Sequence, residues 1–171
     1  MRQAQRNKTV TLTFSRENLL YDIKNYAWVE GDIMNVDDEN TRHQVIDIAE
    51  DGNVDRVTRM LDLAHAECVE FMYPYTKEPC ADEQTTNNNL TETPQYVIEM
   101  LVHEDFSQTT IDLLAKLIHE YMICRVLGDW FRITYPTNQS GWELKAEDIK
   151  QQIRTRLHAR CGRVRRTQTP F

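Results

Sequence analysis

Several side chains in this sequence begin a chemical motif, but none completes one. His119-Glu120 opens like the H-E-x-x-H zinc motif, yet Ile123 stands where the second histidine belongs. His103-Glu104-Asp105 also lacks the spacing. His65 and Cys68 lie three residues apart and could share a metal. Two ligands do not make a site, and Cys68 falls on an apolar helical seam, so helix packing is the stronger reading. Asp37-Asp38-Glu39 lacks the glycine and spacing of a calcium loop and reads as a solvated acidic turn. Glu143-Leu144-Lys145 has the E-x-K shape of some nucleases, but it sits on a predicted helix without an upstream partner. The five glycines are scattered at 31, 52, 128, 141 and 162, so no phosphate loop is present. Cys68, Cys80, Cys124 and Cys161 show no CxxC spacing and read as ordinary thiols in a reduced setting. The expectation is no catalytic residue set, no metal and no cofactor.

Charge is the chemistry that remains. The chain of 171 residues carries a net −7. From Asp148 to Phe171 seven Lys/Arg oppose one acid, giving +6, so residues 1–147 carry −13. Arg154, Arg156, Arg160, Arg163, Arg165 and Arg166 crowd into thirteen residues, followed by Thr167-Gln168-Thr169-Pro170-Phe171. A solubilising tail is the plain explanation. Against it, arginine pairs with carboxylates in a bidentate way, and a terminal Pro-Phe has the character of an anchor. Such a segment gains affinity when it orders on a partner. The expected partner-binding residues are Arg160, Arg163, Arg165, Arg166, Pro170 and Phe171, meeting an acidic surface of a neighbouring subunit or another protein. The alternative is a nucleic-acid-associated protein that uses the same arginines on phosphates. A helix–turn–helix over Asp38–Met72 is disfavoured, because Asp55, Asp62, Glu67 and Glu70 would face the DNA.

The elements that must carry these groups are mostly helical. Ile111–Tyr135 is the longest stretch that asks for burial. Ile111, Leu114, Leu117, Ile118, Tyr121 and Met122 make one face, and Ile123, Cys124, Val126, Leu127, Trp130 and Phe131 fill the others. Glu120, Arg125, Asp129 and Arg132 argue against a membrane span, and this is expected to be the central helix, begun by Ser107. Thr9–Phe14 alternates as a half-buried strand, and Ser15 caps a helix over Glu17–Trp28. A second helix is expected over Asp38–Ala49, closed by Asp51-Gly52, with Asn53 capping a third. On that third helix Val54, Val57, Leu61, Ala64, Cys68, Phe71 and Tyr75 form a single seam, and Pro74 marks its end. Tyr75–Pro94 is a polar surface loop. Tyr96–Val102 alternates again and should pair with Thr9–Phe14 or with a strand in that loop. Pro136–Gly141 reads as a turn, and Gly141–Cys161 as the last helix, stopped by Gly162. Met1–Thr11 has no apolar leader core, and no stretch reads as transmembrane.

The fold class expected is mainly α: about five helices around a central buried helix, with a small β hairpin or two short strands. Residues 1–162 form one domain, with 76–94 as a polar loop insertion and 163–171 as an extended C-terminal arm.

Three segments carry a resemblance: IAEDGNVDRVTRMLDLAHAEC with FMYPYT, the stretch FSQTTIDLLAKLIHEYMICRVLGDW, and the ending RCGRVRRTQTPF. Together the layout resembles phage and prophage proteins of gut Bacteroidetes. More broadly, it is similar to head–tail connector (adaptor, neck) proteins of tailed bacteriophages. The resemblance implies a non-enzymatic virion protein forming a ring, commonly of twelve copies, between portal and tail. It implies portal protein, other neck and tail proteins and further copies of itself as partners, and no membrane. DNA would pass the channel without sequence-specific contact. The setting implied is the virion neck, and the host cytoplasm during assembly. The two strands and the long polar loop depart from the simplest helical version of that family.

Overall fold

The computed structural model describes residues 7–34, 39–79, 82–83, 88–90 and 92–158. The two alternating segments form strands β1 (Asn7–Ser15) and β2 (Gln95–His103). They pair antiparallel, from Asn7 opposite His103 to Ser15 opposite Gln95. Of the two pairings expected for the second strand, it takes the one with the N-terminal strand. Period-two alternation fixes the register: Leu12 and Phe14 are buried on β1, and Tyr96, Ile98, Met100 and Val102 on β2. The threonines Thr9, Thr11 and Thr13 face solvent.

The two edges of this sheet differ. On β2 the Leu101 amide donates to the Tyr75 carbonyl at 2.8 Å, and His65 Nε2 meets the Val97 carbonyl at 2.9 Å. No such cover lies along β1 from Asn7 to Phe14 among the described residues.

Among the described residues five helices supply the rest: α1 (Arg16–Ile33), α2 (Glu39–Ile46), α3 (Val54–Phe71), α4 (Gln108–Thr134) and α5 (Pro136–Arg156). A single 3-10 turn, Asp47–Ala49, follows α2. The chain is mainly helical with a two-stranded antiparallel sheet, as the hydrophobic patterning requires. α4 is the centre: it buries twelve residues and meets α1, α2, α3 and α5. The α3 seam is realised at Val57, Leu61, Ala64 and Cys68, all buried.

Local chemistry explains where the elements stop. Ser15 Oγ accepts from the Asn18 amide at 3.5 Å and starts α1. α1 then runs five residues past the expected Trp28, because Arg42 takes over its last carbonyls: Nε donates to Gly31 at 2.9 Å and Nη2 to Asp32 at 3.2 Å. α1 and α2 close up at Gly31, where a Cβ would lie 2.6 Å from Ile46 Cγ1. Asn53 does occupy the cap of α3, but its amide donates to the Asp47 carbonyl at 2.8 Å instead of capping the helix. Ser107 likewise stands at the start of α4, with Oγ turned to Thr109 Oγ1.

One expectation is corrected here. Pro136–Gly141 is the first part of α5, not a turn. Pro136 sits at the first helical position, where its fixed φ suits the helix and its missing amide costs nothing. The reversal between α4 and α5 is made by Tyr135 alone, which breaks the helix with φ −147° and ψ 77°. The expected end of the last helix at Cys161 and its stop at Gly162 lie outside the described residues. Within Tyr75–Pro94, the described residues contain no helix or strand. No described helix is long and apolar enough to cross a membrane.

Candidate interaction surface

Most of the described residues with chemical side chains are committed to internal contacts. His119 and Glu120 are neighbours in sequence and diverge in space: His119 Nε2 meets Asp22 Oδ2 of α1 at 2.7 Å. Glu120 accepts from Tyr26 at 3.2 Å and from Lys145. That takes apart the E-x-K group as well, because Glu143 turns to Arg132 and Gln139 while Lys145 turns to Glu120. The Lys145 ammonium also lies 5.3 Å from the Tyr26 ring and 5.1 Å from the Trp142 ring. Burial would lower its pKa, but the hydrogen bond to Glu120 raises it, so this lysine stays charged.

The described thiols are equally enclosed, while Cys80 and Cys161 lie outside the described residues. Cys68 and Cys124 are free and buried. Burial pushes the Cys124 thiol up to about 12, with the Glu120 charge adding to it and Lys145 opposing. Burial also raises Cys68. Both are held in the thiol form near neutral pH. His65 contacts the Val97 carbonyl and the Tyr96 ring, not Cys68. No group of three metal-ligating side chains occurs among the described residues. Asp37 and Asp38 lie outside them.

A groove of about 950 Å³ runs between α3 and α5, floored by α4. Its walls carry Leu63, Ala66, Phe71 and Tyr73 from the α3 side. Arg125 holds its floor. Nε and Nη2 donate to the two Glu67 oxygens at 3.0 and 3.2 Å, and Nη1 donates to Asp129 Oδ1 at 2.6 Å. Tyr121 adds a hydrogen bond to Glu67 at 2.9 Å. Burial alone would lower the Arg125 pKa; the carboxylate hydrogen bonds reverse this and raise it. Burial, then the bond to Glu67, raises Tyr121. A fork–fork pair fixes both partners in angle as well as distance, so the floor is preorganised. Gly128 lets α5 come close: a Cβ there would touch Glu143 Cγ at 3.4 Å. Arg132 and Glu143 then clasp the two helices at one end. At the other end the Arg154 guanidinium lies 5.9 Å from the Phe71 ring.

The second feature is convex. Tyr21, Trp28 and Val29 are exposed on the side of α1 away from buried Leu19, Ile23, Ala27 and Gly31, and Ile33 is exposed at the helix end. This ridge was not foreseen, although the spacing of Tyr21, Trp28 and Val29, seven and eight apart, could have revealed it. The groove had no sequence signal, since Arg125 and Glu67 lie 58 residues apart.

Of the arginine segment, Arg154 and Arg156 belong to the last turn of α5. Burial against α4 at Ala146, Ile149 and Ile153 anchors that helix. The expected docking residues Arg160, Arg163, Arg165, Arg166, Pro170 and Phe171 lie outside the described residues. No protein-family model, no curated protein and no solved structure matches this chain.

Proposed function

We propose that the chain is a non-enzymatic structural subunit of a phage neck, assembled as a ring between portal and tail. In this reading it docks on the portal or a neighbouring subunit through Arg160, Arg163, Arg165, Arg166, Pro170 and Phe171. The observation that carries it is the segregation of charge: −13 over residues 1–147 against +6 over residues 148–171. A body of that sign along a channel repels DNA and lets it slide, while a basic segment provides adhesion. The firm anchoring of α5 on α4 supports the reading, because it fixes the point from which the arginine segment departs. The commitment of His119, Glu120, Cys124 and Lys145 to internal contacts is in keeping with a scaffold.

Deleting residues 163–171 tests the proposal. The truncated chain is expected to keep its helical circular dichroism and lose co-assembly with portal. Normal incorporation of the truncated chain overturns the docking role. The same arginines favour a second reading, phosphate contact with nucleic acid. Filter binding against salt separates the two, since phosphate contacts predict affinity that falls steeply as salt rises.

A further inference from the structure

We propose that the ridge on α1 of one copy seats in the α3–α5 groove of the next, giving a head-to-tail contact. The inference rests on the ring reading above and names the surfaces that would build the ring.

Placement is the first argument. α1 meets α4 through Asp22–His119 and Tyr26–Glu120, and the groove floor is Tyr121, Arg125, Gly128 and Arg132. With 3.6 residues per turn, position 119 points about 150° round α4 from the direction shared by 121, 125, 128 and 132, and position 120 about 110° round, where Glu120 also meets Lys145. Ridge and groove therefore lie on different flanks of one helix. Two different surfaces make a heterologous contact, the kind that builds a ring when its rotation closes.

Shape and composition agree. The ridge offers Tyr21 at 66 %, Trp28 at 55 % and Val29 at 50 % exposure. Anchors at i, i+7 and i+8 on one face are the pattern of a helix laid in a groove, and Trp and Tyr dominate such contacts. The groove offers exposed Leu63 and Tyr73 beside Phe71, in a space of about 950 Å³.

Charge agrees as well. Glu17, Lys24 and Asp32 are exposed along the ridge, and none has a salt-bridge partner among the described residues. In the groove, Glu70 and Arg154 are also without an ion-pair partner among the described residues. Lys24 thus has an acid to meet, and Arg154 has a choice of two.

The test is sedimentation velocity on the full chain, with Trp28→Glu for the ridge and Ala66→Glu for the groove. Both sites are exposed, and circular dichroism checks that each variant is folded. The wild type is expected to associate with rising concentration. Each variant alone should lose at least about 30-fold in association, the effect of removing one interface hot spot. An equimolar mixture should form a heterodimer that grows no further, because only one intact ridge meets one intact groove. Variants that associate like the wild type overturn the inference, and so does a mixture that stays monomeric. A monomeric wild type overturns it too, including the case where Trp28 is found to serve another protein. Portal binding is read separately: a chain that associates through Trp28 yet ignores portal removes the neck reading and leaves this contact standing. Unchanged rings in both variants do the reverse.

Discussion

The two flanks of α4 expose apolar side chains in opposite ways. On the α3–α5 flank the apolar walls stand over a floor held by charge, with Arg125 locked to Glu67 and Asp129. On the α1 flank the polar contacts are spent inward, on Asp22–His119 and Tyr26–Glu120–Lys145, and the outer face is left to Trp28 and its neighbours. A concave surface needs a rigid frame to stay open. A convex one needs only a helix. The groove should therefore be sensitive to mutations of its frame, and the ridge should tolerate loss of its crest.

Substitutions can break this contrast. Phe131→Ala in the buried core of α4 should cost most. Phe131 is buried and packs 6.1 Å from the Trp142 ring, so about 3–5 kcal/mol should be lost in urea unfolding. Arg125→Ala should cost about 2–3 kcal/mol, because Glu67 and Asp129 lose their charged donor. A loss below 0.5 kcal/mol would show that the frame is not needed. Alkaline pH gives a smaller and broader effect. The pKa values of Tyr96 and Tyr121 are raised in the fold, by burial first and then by bonds to Asp62 and Glu67. A raised tyrosine contributes stability that is full below its unfolded pKa of about 10 and is lost as pH rises through the folded value. Tyrosinate absorbance should lag behind free tyrosine, and Tyr121→Phe should flatten the alkaline fall. Trp28→Ala is expected to change stability least, within about 0.5 kcal/mol, while still weakening self-association.

Much of the framework was legible in the sequence, for a stated reason. Strand alternation survives in any tertiary setting that covers one face, so Leu12, Phe14, Ile98 and Met100 were readable in advance. The α3 seam and the all-round burial of α4 were equally plain. Misread places were those where one residue serves two purposes. Pro136 breaks chains and also begins helices. The end of α1 was set by Arg42, ten or so residues beyond any local signal. The groove depends on Glu67 meeting Arg125 and on Arg132 meeting Glu143, pairs drawn from three helices that no window of sequence contains. The arm residues, by contrast, were chosen on charge and composition alone.

The β1–β2 pairing has a consequence in time. Ser15 pairs with Gln95, eighty residues further on, whereas α4 and α5 are joined through Tyr135 alone. Loop closure over that span costs entropy before any strand hydrogen bond repays it, while the α4–α5 hairpin forms locally. The helical hairpin should therefore be structured in the folding transition state and the sheet should join late. Substitutions at Ile149 or Ile153 should slow folding, and those at Leu12 or Ile98 should mainly speed unfolding. During synthesis, the uncharged run Thr9–Phe14 is made long before Tyr96–Leu101 and must wait for it before it can pair.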